Sequence, residues 1–138
     1  MSLILMAFSI NALSQTADDA KAMVKNAVAF YKEKGREAAL KEFSNKTGQF
    51  VKGELYLTVW SPDGIQIAHG ANEKLIGKNL TDLKDPDGKE FVKEFVKIKD
   101  NGWVEYKWTH PVTKKIAPKK VYLEKVDEII IGAGVYLK

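Results

Sequence analysis

The residues best equipped for chemistry lie on alternating stretches in the C-terminal third of the chain. Gly102-Trp103-Val104-Glu105-Tyr106-Lys107-Trp108 puts Tyr106 and Trp108 on one face of a strand and Trp103 and Glu105 on the other. Pro118-Lys119-Lys120-Val121-Tyr122-Leu123-Glu124-Lys125-Val126 alternates too and opens with two lysines. Ile129-Ile130-Ile131-Gly132-Ala133-Gly134-Val135-Tyr136 is apolar, and its two glycines share a face, which makes room for a ligand or a closely packed neighbour. Aromatics, lysines and glycines gathered on one sheet predict a pocket for a small anion. An ammonium supplies charge-assisted hydrogen bonds. Phenol and indole add apolar area with one polar handle each.

Three further candidates come from upstream. Tyr56 and Trp60 point the same way on the stretch Glu54 to Trp60. His69 ends the next strand and, when neutral, both donates and accepts a hydrogen bond. The lysines are alternatives, because neighbours on a strand face opposite sides. Tyr122 points with Lys120, so Lys119 and Tyr122 face inward together only if a bulge intervenes.

The elements that position these residues follow from periodicity and capping. Thr16-Ala17-Asp18-Asp19 is a capping box. Ala20, Met23, Val24, Ala27 and Tyr31 then recur at helical spacing up to Gly35, and Arg36 to Phe43 forms a second helical piece. Glu54 to Trp60, the turn Ser61-Pro62-Asp63-Gly64 and Ile65 to His69 form a hairpin, with Ile65, Ile67 and His69 expected on one face. Gly70 to Asp87 is a connection with short helical turns. Asp85-Pro86 is expected to cap a helix burying Phe91, Val92, Phe95 and Val96. The three C-terminal strands form a meander. The order predicts an α+β domain with five antiparallel strands and helices on one side.

Composition narrows the function. The 138 residues fit one domain, and 45% apolar with 29% charged residues is ordinary for a globular chain. The net charge of +4 does not point to nucleic acid, because Arg36 is the one arginine among 22 basic residues and base readout leans on arginine. Absent cysteine excludes disulfides, thiolate metal sites and a cysteine nucleophile. Two histidines without other clustered ligands do not make a metal site. No serine–histidine–acid order or nucleophile elbow stands out, so no catalytic residue, cofactor or metal is assigned and the chain does not read as an enzyme.

The motif series resembles a known family. Tyr56-Leu57-Thr58-Val59-Trp60-Ser61-Pro62-Asp63-Gly64, Ala68-His69, Leu75-Ile76-Gly77-Lys78-Asn79-Leu80, Asp85-Pro86-Asp87-Gly88, the Gly102 to Trp108 strand, Pro118-Lys119 with Tyr122, and Ile131-Gly132-Ala133-Gly134-Val135-Tyr136 are similar to a single Cache domain of the second type. These are PAS-like extracytoplasmic sensors of bacterial chemoreceptors and histidine kinases. The resemblance runs from about Asp18 to Tyr136. It implies a five-stranded antiparallel sheet with a long N-terminal helix and a helical connection covering one face. It further implies a ligand-binding module for a small organic acid, in signal transduction or chemotaxis. Tyr56, Trp60, His69, Trp103, Tyr106, Trp108, Lys119 and Tyr122 are then the candidate ligand residues, with Lys119 at the family's lysine position. The implied partners are a small carboxylate, a membrane-bound receptor or signalling partner, and a second copy through the N-terminal helix. The chain has Gly70 where the family usually has proline. A ligand-free PAS-like dimerisation module is the alternative.

Leu3 to Leu13 is an apolar run too short to span a bilayer. It ends in Asn11-Ala12-Leu13-Ser14, like the end of a secretory signal lacking its basic start. Residues 1–14 are therefore expected to be a signal-peptide remnant or an added leader, 15–138 the single domain, and the protein exported to the periplasm or beyond.

Overall fold

The computed structural model describes residues 15–137, so the signal-peptide expectation for residues 1–14 lies outside the described residues. Helix α1 spans Ala17–Lys34 and α2 Arg36–Phe43. The capping box forms as the sequence predicts: Thr16 Oγ1 accepts from the Asp19 amide at 3.1 Å, and Asp19 Oδ2 accepts from the Thr16 amide at 2.8 Å. Gly35 separates the helices at φ +85°, a conformation that favours glycine.

Strands β1 (Val51–Lys52), β2 (Leu55–Trp60), β3 (Gln66–His69), β4 (Asn101–Thr109), β5 (Ile116–Val126) and β6 (Ile129–Tyr136) form one antiparallel sheet. Its order is β1-β2-β6-β5-β4, with β3 also paired to β2. The two-residue β1 takes the sheet from the expected five strands to six. The α+β class holds, but helices cover both faces rather than one. Leu55, Leu57 and Val59 of β2 and Ile129, Ile131 and Ala133 of β6 pack with Ala20, Met23, Val24 and Ala27 of α1. The intervening residues Trp60, Ile130, Val121 and Leu123 pack with Phe91, Val92 and Phe95. Period-2 alternation on strands buried on both sides accounts for the division.

Two local expectations fail for physical reasons. The β2–β3 register shifts between Val59 and Trp60, which leaves Ile67 of β3 as the extra, unpaired residue of a bulge. Gln66 and His69 consequently share a face, while Ala68 and Ile67 pack into the opposite core, on the side of α2. The helix expected from Asp85 shrinks to α3, Phe91–Val96. Asp85 staples a turn instead: its carboxylate accepts from the amides of Asp87 and Lys89 at 2.9 Å and of Lys107 at 3.0 Å. Burial acts to raise its pKa, but the three amides outweigh burial and hold the carboxyl below its usual range. This contact ties the connection to β4 and fixes the roof over the sheet.

Candidate functional site

Lys119 is the organising side chain. It sits on β5 between Tyr106 of β4 and Tyr136 of β6, and it is 1% exposed. Its stem crosses Gly134, where an added Cβ would stand 2.6 Å from Lys119 Cε. Nζ donates to Tyr56 Oη at 2.9 Å. It lies 4.1 Å from the centroid of the Tyr56 ring, 5.2 Å from that of Tyr136 and 5.9 Å from that of Tyr106. Among the described residues no carboxylate forms an ion pair with it. Aromatic faces offset part of the desolvation of a cation, yet a buried ammonium ordinarily has a paired anion.

The tyrosines form a chain from this ammonium to the sheet edge. Tyr56 Oη stands 3.4 Å from Tyr136 Oη, and Tyr136 Oη donates to the Thr109 carbonyl at 2.8 Å. Burial first, and the proximity of Tyr56 second, push the pKa of both Tyr106 and Tyr136 up. Tyr106 and Tyr136 therefore stay neutral.

His69 closes another side. Its Nδ1 accepts from the Ala71 amide at 3.1 Å and the Asn72 amide at 2.8 Å, which assigns the proton of the neutral ring to Nε2. Its ring centroid lies 4.8 Å from that of Tyr56. Burial, then the charge of Lys119, lowers its pKa from 6.5 to about 3. The unfolded chain takes up this proton before the folded one. Stability is thus full above pH 6.5 and is lost as pH falls towards 3, at about 1.4 kcal/mol per pH unit for one such group. Urea titrations of wild type and His69→Asn between pH 7 and 5 check this. Asparagine keeps an acceptor for the two amides, and the expected result is a shallower pH slope in the variant.

Trp60 Nε1 is a buried donor without a hydrogen-bond partner among the described residues. It lines, with Tyr56, His69, Tyr106, Trp108 and Lys119, a small cavity of about 10 Å³. That is room for about one water. The structure thus brings these six sequence candidates together. Trp103 and Tyr122 are not with them. β5 is regular, so Lys119 faces the cavity and Tyr122 faces α1, which resolves the conflict between them. Tyr122 donates to Glu124 at 2.9 Å, and Trp103, 37% exposed, stacks against Tyr122 under the Lys120 ammonium.

Sequence reasoning missed Thr58, Gln66, Leu80, Leu83 and Phe91 as cavity-lining residues. Gln66 was detectable as the one polar residue in Ile65-Gln66-Ile67-Ala68. Its Nε2 donates to Thr58 Oγ1 at 2.9 Å and to the carbonyl of Ala68 at 2.7 Å, filling hydrogen bonds lost at the bulge. Phe91 stacks on Tyr106 with centroids 4.2 Å apart and fixes its ring.

Comparison with known proteins gives the family of this sheet with its buried cation beneath a helical connection. The Cache domain model matches residues 9–138, so the chain belongs to the Cache domain family. Cache domains of chemoreceptors are ligand-binding signalling modules, not enzymes. The chain resembles a methyl-accepting chemotaxis protein of Vibrio parahaemolyticus, with TM-score 0.76 and 25% identity over 86% of each chain. It also resembles a Cache chemosensory domain described for its carboxylic acid recognition, with TM-score 0.74 and 27% identity over 90% of this chain and all of that one. In sequence it is 37% identical over 76 residues to the methyl-accepting chemotaxis protein McpP of Pseudomonas putida, a match covering 51% of this chain and 14% of that receptor. Among the described residues no helix is long and apolar enough to cross a membrane.

Proposed function

We propose that this domain senses a small carboxylate outside the cytoplasm, for a chemotaxis or other signalling receptor, with residues 15–138 as the folded sensor. The observation that carries the reading is the buried ammonium of Lys119, which pairs with no carboxylate among the described residues. Three N–H donors belong to residues that line its cavity: Lys119 Nζ, the Nε2–H of His69 and the Nε1–H of Trp60, the last without a hydrogen-bond partner among the described residues. A carboxylate offers about four acceptor sites and no donor, which suits such a set. The likeness to a domain that recognises carboxylic acids supports it.

The small cavity sets the size of ligand. The carboxylate sits against Lys119, and Leu80 and Leu83 in the roof give way to a short chain. Calorimetric titration with mono- and dicarboxylates of two to six carbons is the test. The expected result is saturable binding of the two- to four-carbon acids and a steep loss beyond them. Silence across the panel with folded protein overturns the reading.

A further inference from the structure

We propose a second binding site, for a small organic ammonium, in the cleft between Glu54 and the β4–β5 hairpin. Among the described residues Glu54 Oε1, which is buried, has no hydrogen-bond partner, whereas Oε2 accepts from His110 Nε2 at 2.8 Å. The histidine is held in place by its own hairpin: Nδ1 accepts from the Val112 amide at 3.1 Å and the Thr113 amide at 3.3 Å. Those bonds leave the proton on Nε2, which donates to Glu54. A neutral imidazole satisfies one carboxylate oxygen and leaves the charge uncompensated. Lys115 also lines the cleft, but among the described residues His110 is the one basic group paired with Glu54.

An unpartnered buried acceptor calls for a donor, and a carboxylate favours a charged one. The cleft beside it measures about 420 Å³, with the Tyr136 ring, Ala117 and the 60% exposed Ile116 as apolar walls. An N–H-bearing cation with a short alkyl chain matches both features. Tyr136 reaches both sites: its ring lies 4.5 Å from that of His110, and its hydroxyl stands 3.4 Å from Tyr56, which holds Lys119. Occupancy of the cleft therefore changes acid affinity, and reciprocally; this coupling, unlike the site itself, rests on the acid-binding reading above.

The chain's two histidines report the sites separately by NMR of their rings. The probe is n-propylammonium chloride, titrated at constant pH and ionic strength. The expected result is a saturable shift of the His110 signal, weakened at least about tenfold in Glu54→Gln, since hydrogen bonds to charged groups have this magnitude. The glutamine keeps an acceptor for His110. Tetramethylammonium, which has the charge but no N–H, is expected to bind at least about tenfold more weakly. Ile116→Ser, at an exposed position, leaves the fold intact and is expected to narrow the preference for propylammonium over methylammonium. A shift that never saturates, equal binding of tetramethylammonium, or an unchanged preference in Ile116→Ser overturns the site, as does unaltered affinity in Glu54→Gln. Propionate in a parallel titration is expected to move His69 first, so failure of either site is seen without the other.

Discussion

Lys119→Met is expected to weaken the proposed acid binding at least ~30-fold while leaving the free domain as stable as before or more stable. Methionine matches the length and volume of lysine without its charge. Removing a buried ion without a carboxylate partner relieves a desolvation cost, and apolar replacements of buried charges are often neutral or stabilising. The Tyr56 hydroxyl loses a donor but keeps its contact with Tyr136. The proposed carboxylate ligand, by contrast, loses the one lysine that lines the cavity among the described residues. Truncating one side of a buried charge pair costs about 2–5 kcal/mol, so the dissociation constant rises at least ~30-fold. Lys120→Met is the control. Its ammonium lies over Trp103 on the opposite face, and its affinity is expected to stay at the wild-type value. Calorimetry with paired thermal melts reads both effects.

Gly134→Ala is expected to be the most damaging single-methyl change in the sheet. The new Cβ would meet Lys119 Cε at 2.6 Å, Val121 Cγ2 at 2.7 Å and the Lys120 carbonyl oxygen at 2.8 Å. A side-chain tip can swing away, but a backbone oxygen in a paired strand cannot. Overpacking of this kind costs about 1–3 kcal/mol, and it pushes the Lys119 stem out of line with Tyr56. Gly132→Ala meets only side-chain atoms, Leu123 Cδ2 at 2.8 Å and Val121 Cγ1 at 3.0 Å, and is expected to cost less. Denaturant midpoints rank the two. A Gly134→Ala protein no less stable than Gly132→Ala would contradict this packing account.

Much of this arrangement was legible in the sequence because strand periodicity is local. Tyr106 and Trp108 on one face, Trp103 on the other, and Tyr56 with Trp60 follow from alternation alone, and the structure keeps those pairings. The same rule stated that Lys119 and Tyr122 oppose each other; it needed the regular β5–β6 register to choose between them. Gln66 was misplaced because a bulge breaks the period, and nothing in Ile65-Gln66-Ile67-Ala68 marks where the extra residue sits. Leu80, Leu83 and Phe91 join the cavity through a connection pinned by Asp85, a tertiary contact between residues far apart in the chain. Nothing local in the sequence marks His110, because its partner, Glu54, lies 56 positions away.

A crystal structure of the domain with propionate tests the central claim most directly. The expected result is a carboxylate oxygen about 2.7–2.9 Å from Lys119 Nζ, the range of charge-assisted bonds, with Trp60 Nε1 or His69 Nε2 donating to the same group. Propionate bound elsewhere, with Lys119 still held only by Tyr56, would contradict it.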